Sequence, residues 1–200
     1  MTLYRKVQKV ERVFRQLERD VASFQRATGL RCLVGCGKCC HKADISASPL
    51  EFLPLAYHLF REGHAEAWYE RLTESTSNNL CVNLKPFLKD SEKGFCDNYL
   101  YRGLICRLFG YSAMLDKHAK PLLVTCKPIK EEMTEVFEMA QQQIDEGLTV
   151  PVMRNYYFQL SAIDPLMASQ MLPINQAILE AIKMVLSYYS YRKPRKRKAA

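Results

Sequence analysis

Leu3, Val7, Val10, Phe14, Leu17, Val21 and Phe24 recur at alternating intervals of four and three, with Arg, Lys, Glu and Gln filling the positions between them. That spacing is the period of a helix with one apolar face, and it predicts a helix over residues 2–28, stopped by Gly29. Three heptads of this kind would also suit a coiled coil. Packing against the chain's own core is the expectation, because it needs no second chain.

The same reasoning carries further along the chain. Ser48-Pro49-Leu50-Glu51 has the spacing of a capping box with proline at the first helical position. A helix is expected from there to about Arg61, ended by Gly63, and a shorter one over Ala65–Glu74. Ser75-Thr76-Ser77-Asn78-Asn79 is a polar break, and residues 80–96 show no period, so irregular chain is expected there. Leu108–Leu115 and Pro121–Cys126 have the composition of two strands joined by Asp116–Lys120. Such a hairpin would bring Cys106 and Cys126 to one end of the ribbon. Helical patterns follow at about 129–146, at 151–171 with a break at Pro165, and at 173–191. The last carries the stripe Ile174, Ile178, Ile182, Met184, Val185 and Tyr188. The fold class expected is α+β and predominantly helical, with a long N-terminal helix, a cysteine-rich metal-binding core holding a short β-hairpin, and C-terminal helices. Residues 1–191 are expected to form one domain (helix 1–30, core 31–127, helices 128–191), followed by a basic disordered tail over 192–200.

Composition narrows the classes of function. The 200 residues are 48% hydrophobic and 25% charged, an ordinary globular mixture that can bury a core without help from a metal. No run approaches eighteen apolar residues, so no membrane span is expected. The charged N-terminal stretch lacks the apolar centre of a secretory signal, which predicts a reducing, cytoplasmic setting. The net charge of +8 is uneven. Arg192, Lys193, Arg195, Lys196, Arg197 and Lys198 supply six of the positive charges, and without them the body stands at +2. The high isoelectric point therefore belongs to a tail, which is either a solvated run or a site for nucleic acid or another polyanion.

The candidate chemistry lies in Cys32-Leu33-Val34-Gly35-Cys36-Gly37-Lys38-Cys39-Cys40, with His41 next and Cys81, Cys96, Cys106 and Cys126 downstream. On a helix, positions 32, 36, 39 and 40 would share a face as small buried hydrophobes. Gly35 and Gly37 oppose a helix by about 1 kcal/mol each and favour a loop that folds tightly around a ligand. Thiolates crowd together only around a cation, since like charges oppose ionisation. A packed cluster must stay protonated, oxidise to disulfides or hold metal, and a reducing compartment favours metal. Zinc and iron–sulfur clusters both take four thiolates, and Lys38, Lys42, Arg102 and Arg107 would balance the charge of either. His41 reads as a neighbouring, non-ligating imidazole. There is no Ser-His-Asp set, paired-carboxylate arrangement, phosphate loop or dinucleotide fingerprint.

The C-x₃-C-x₂-C-C run followed by the Ser-Pro-Leu-Glu helix start resembles the YkgJ-type cysteine-cluster proteins, a zinc- or iron-chelating family. Cys96-Asp97-Asn98-Tyr99-Leu100-Tyr101-Arg102-Gly103-Leu104-Ile105-Cys106-Arg107-Leu108-Phe109 is similar to the family's C-x-x-Y-x-x-R-P-x-x-C-R-x-[FY] stretch, with Gly103 where the family usually has proline. The resemblance covers about residues 31–127. It implies a site drawn from Cys32, Cys36, Cys39, Cys40, Cys96, Cys106 and Cys126. Cys81 is the least well matched, because its interval to Cys96 is long. Arg102, Arg107 and His41 would stand behind the ligands. Seven or eight thiols exceed one tetrahedral site, so a dinuclear arrangement or one site with spare thiols is expected. Related cysteine-cluster domains occur in flagellin lysine N-methylases, which would imply S-adenosylmethionine, although no methyl-donor motif is present. Three readings follow: a zinc or iron protein, an iron–sulfur-dependent enzyme, and a structural-zinc module whose basic tail binds nucleic acid.

Overall fold

The computed structural model describes residues 1–33, 35–42, 44–74, 80–87 and 90–192. The polar break at 75–79 therefore lies outside the described residues. The chain is an α+β protein dominated by helices. Helix α1 runs over Leu3–Thr28, with the Thr2 hydroxyl accepting from Arg5 N and Gly29 closing it at φ +73. Of its apolar stripe, Leu3, Val7, Val10, Phe14, Leu17 and Phe24 are buried, and the helix packs within its own chain.

Helix α2 (Pro49–Arg61) is the centre of the larger core. Every residue from Pro49 to Tyr57 is buried, between α1 on one side and α9 (Ile174–Tyr189) on the other. Helix α3 (Ala65–Glu74) packs on α9 as well. Phe52, Leu53, Leu55, Leu17 and Ile178 are among the fully enclosed side chains. Each such residue contributes about 2 kcal/mol through burial, and none of them is a cysteine. A second, smaller core forms from Phe24, Leu30, Ala113, Leu123, Ile129, Ala140, Ile144 and Val150. It lies among the end of α1, the hairpin β4–β5 (Ser112–Leu115, Pro121–Val124) and helices α5 (Lys127–Glu132) and α6 (Thr134–Asp145). Helices α7 (Met153–Ser161) and α8 (Pro165–Ser169) return the chain to the larger core. Strand β1 (Ser46–Ala47) pairs antiparallel with β6 (Leu172–Pro173), which leads straight into α9.

Four local features depart from the pattern of the sequence. Residues 84–87 and 90–96 are not irregular: β2 (Leu84–Phe87) pairs antiparallel with β3 (Asp90–Cys96). The pairing was hidden because Pro86 and Gly94 break the alternation of strand residues and the register shifts between Pro86 and Phe87. Second, Leu108 ends a short helix, α4 (Leu104–Leu108), rather than opening a strand, so Cys106 is helical. Gly110 at φ +94 makes the turn, and the strand begins only at Ser112, whose hydroxyl donates to Leu108 O at 2.7 Å. Third, the expected helix at 129–146 is two helices, broken at Met133, whose side chain packs on the smaller core. Fourth, the β1–β6 pair joins segments too short to carry any period.

The capping box at Ser48 does more than start α2. The Glu51 carboxylate is fully buried. Its Oε1 accepts from Ser48 N at 2.9 Å and Ser48 Oγ at 3.1 Å, and its Oε2 accepts from Ile105 N at 3.0 Å. One side chain thus satisfies orphan donors at the starts of two helices, α2 and α4. Burial pushes the carboxyl pKa up while these donors pull it down, and burial is the larger effect. Glu51→Ala strands buried N–H groups at both helix starts. The expected loss is about 2–6 kcal/mol from a cost of about 1–3 kcal/mol for each of the two groups, read by urea unfolding followed by circular dichroism.

Candidate metal centre

The cysteine run is a loop that ends in a 3-10 turn over Lys38–His41. Gly35 and Gly37 take left-handed conformations, at φ +69 and +60, and the turn closes through Cys40 N donating to Gly37 O at 2.8 Å. These glycines also allow the β2–β3 hairpin to lie on the loop. Gly94 N donates to Gly35 O at 3.2 Å, a Cβ on Gly37 would stand 2.9 Å from Gly94 O, and a Cβ on Gly35 would meet the Phe87 ring at 3.0 Å. Cys81 N donates to Cys40 O at 3.2 Å, so the loop is bound on two sides by backbone from the 80–96 segment.

Five thiols meet at one cavity of about 80 Å³: Cys39 and Cys40 from the loop, Cys81 and Cys96 from the two sides of the hairpin, and Cys106 from α4. The opposite wall is apolar, formed by Phe52, Ile105, Phe109 and Ile174 among others. Cys81, the weakest match by sequence spacing, is the most buried of the eight cysteines and sits in this group. The remaining three thiols keep separate company. Burial and the neighbouring Cys39, Cys36 and Cys126 raise the Cys32 thiol to about 11. Burial also raises Cys126, with Cys36 and Cys39 adding to the effect. Cys126 packs on the smaller core within electrostatic reach of Cys32, Cys36 and Cys39, while Cys106 lines the cavity and packs on the larger core, so the expected ribbon-end meeting of Cys106 with Cys126 gives way to different surroundings for the two. Cys39 lies within electrostatic reach of both.

The thiols order their own protons. Cys39 and Cys40 Sγ atoms are 3.9 Å apart. Thiol hydrogen bonding with Cys40 holds Cys39 and Cys81 down, and the same contacts together with burial push Cys40 up. Burial raises Cys96 to about 11 and also raises Cys106, with the nearby Cys81 adding to each. None of the eight cysteines is in a disulfide. Among the described residues no three His, Cys, Asp or Glu side chains converge closely enough to grip an ion. The 3.9 Å pair nevertheless matches the sulfur–sulfur separation of about 3.8 Å that tetrahedral Zn–S bonds of about 2.3 Å require.

The basic residues divide. Arg102 lines the cavity with its guanidinium 3.8 Å from the Tyr99 ring centre, and its Nε is buried without an acceptor. Its charge helps to lower Cys39 and opposes the rise at Cys96. Arg107 is committed elsewhere. Its Nε donates to Arg102 O at 3.0 Å, one terminal nitrogen donates to Leu100 O at 2.5 Å, the other pairs with Glu18, and the group lies over the Phe14 ring. It braces the 99–102 turn against α1. His41 ends the 3-10 turn with Nε2 buried and unpartnered, and it does not line the cavity. Arg192 stacks over Tyr188 at 4.5 Å. Lys193, Arg195, Lys196, Arg197 and Lys198 lie outside the described residues. No described helix is long and apolar enough to cross a membrane.

The donor set fits a metal group. The cavity gathers soft thiols, has no carboxylate on its wall among the described residues, and presents one buried N–H that still needs an electron-rich acceptor. Residues 31–140 match the family model described as "CxxCxxCC: Putative zinc- or iron-chelating domain", and the chain belongs to that family. Its own run, C-x₃-C-x₂-C-C, has one residue more in the first interval than the pattern for which the family is called. No curated protein and no solved structure matches the chain. Metal binding is the class of function that family and site define.

Residues that the sequence did not single out also shape the site. Asn83 is buried beside the thiols and accepts from Asn98 Nδ2 at 2.9 Å, and Asn175 bonds to the backbone around Cys81. Neither carries a spacing or charge signal. Gly37→Ala is expected to damage the centre selectively, since the left-handed conformation costs about 1–2 kcal/mol with a side chain and the new Cβ presses on Gly94. The helical circular dichroism should persist while metal uptake, measured by elemental analysis after dialysis, falls.

Proposed function

We propose that the protein holds metal on thiolates in a two-part centre hinged on Cys39. Cys39, Cys40, Cys81, Cys96 and Cys106 serve the cavity, and Cys32, Cys36 and Cys126, with Cys39, serve a second position beside it. The gathering of five thiols against a buried, unpartnered Arg102 Nε carries this reading. Metal-bound thiolate is a stronger acceptor than a thiol and would answer that N–H, as groups behind metal ligands commonly do. The 3.9 Å Cys39–Cys40 separation suits one tetrahedral ion, and about 80 Å³ of space between the thiols leaves room for an iron–sulfur group. Such a group would supply electron-transfer or Lewis-acid chemistry, with the apolar wall limiting water.

Anaerobic purification followed by metal and sulfide analysis and a visible spectrum tests the proposal. Brown protein containing iron and sulfide, which bleaches on oxidation, would put an iron–sulfur cluster on the thiolates. Colourless protein with stoichiometric zinc would keep the thiolate centre and remove the cluster. Folded protein that carries no metal and takes none up would overturn both. Cys32→Ser with Cys36→Ser should empty only the second position.

The pH dependence follows from the raised thiols. Cys32 and Cys96, at about 11, keep their protons at neutral pH, and ligation must release them. Zinc affinity of the apoprotein is therefore expected to tighten about tenfold per pH unit for each proton released, measured by chelator competition between pH 6 and 8. Without metal the sign for stability is opposite. A thiol raised in the folded state favours folding below its unfolded value of about 9, and that contribution is lost as pH climbs toward 11. Urea midpoints of the apoprotein should fall across that window.

A further inference from the structure

Cys81 sits on a segment with little structure of its own. It follows a stretch outside the described residues and precedes β2 by only two residues, yet it is the most enclosed of the thiols. The segment is held from outside. Asn175, in the first turn of α9, accepts from Val82 N at 2.9 Å through Oδ1 and donates to Leu80 O at 2.8 Å through Nδ2. The two bonds grip the peptide groups on either side of Cys81, as a neighbouring strand would. They also define which way the amide points, since one partner is a donor and the other an acceptor. The residue before it, Ile174, lines the cavity and donates its N–H to Ile45 O at 2.9 Å. The start of α9 is in turn anchored by dense packing on α2.

We infer that Asn175 is a positioning residue for metal binding: its side-chain amide sets Cys81 into the thiol group, so that α9, outside residues 31–140 matched by the family, completes the centre. This rests on the reading of Cys81 as a ligand. Only a side chain that both donates and accepts at this length can make the grip. Aspartate keeps the acceptor for Val82 N and loses the donor to Leu80 O. Alanine loses both and leaves two partly buried peptide groups without partners.

The full chain, purified without metal and loaded with Co²⁺, separates a positioning role from a merely stabilising one. The thiolate-to-cobalt absorbance counts sulfur ligands, and its titration gives affinity. Cys81→Ser fixes the signal of one lost ligand, about a quarter of the band at a four-sulfur position. Asn175→Ala is expected to lose the same share and to weaken Co²⁺ binding by about 10–100-fold, the range seen when groups behind metal ligands are removed. Asn175→Asp should fall between Asn175→Ala and the unaltered protein, and it serves in place of the alanine variant if that one does not fold. Ala177→Gly, on the same helix and in the core, lowers stability without touching the grip and should leave the band intact. If the Asn175 variants keep the full band and affinity while Cys81→Ser loses them, the inference is overturned and the ligand reading stands. If Cys81→Ser itself keeps the full band, the ligand reading of Cys81 fails, and the positioning role fails with it.

Discussion

A single buried carboxylate sets the geometry on which the rest of the site depends. Glu51 is the third residue of the central helix, yet it also accepts from the start of α4, more than fifty residues later. A charge in that position is costly, and burial raises its pKa accordingly. It is tolerated because no neutral side chain of the same shape accepts from donors on both oxygens at once. An amide would turn an N–H toward one of them. The bond to Ile105 holds α4 against α2, and with it Cys106, the Phe109 wall and the turn that presents Arg102. The thiol cavity is thus located by the helical core.

Arg102 and Arg107 show how two equivalent charges acquire different work from their surroundings. Five residues apart, both read from sequence as counter-ions for sulfur. Arg107 is enclosed beneath Phe14 and has oxygen partners for all three nitrogens, so its charge is spent on joining α1 to the 99–102 turn. Arg102 rests on Tyr99 at the cavity, with Nε unanswered. The thiols divide in a similar way. Cys40, Cys81 and Cys106 back onto the larger core and Cys126 onto the smaller, and Cys39 lies within electrostatic reach of both sides.

The elements that were legible in the sequence were those whose signal is local. The apolar stripe from Leu3 to Phe24, the glycine that stops it, the Ser48 capping box and the α9 stripe each state their structure within a few turns. The two loop glycines likewise announced that the cysteine run could not be a helix face. What stayed hidden depends on partners distant in sequence. The β2–β3 hairpin, with proline and glycine in its strands, is supported by the loop it lies on. Cys81 looked misplaced by spacing alone, because the groups that seat it come from Cys40 and from Asn175. Asparagine at a helix start is too common to signal such a role.

Gly103 has φ −64, the value a proline ring imposes. Its backbone is therefore already shaped for proline. What bars it is a neighbour: a Cβ at 103 would lie 2.8 Å from the Phe52 ring and 3.2 Å from the Glu51 carboxylate. The space that a side chain at 103 would need is already filled by the ring at 52. Proline at 103 therefore calls for a smaller residue at 52, so that the two positions change together or not at all.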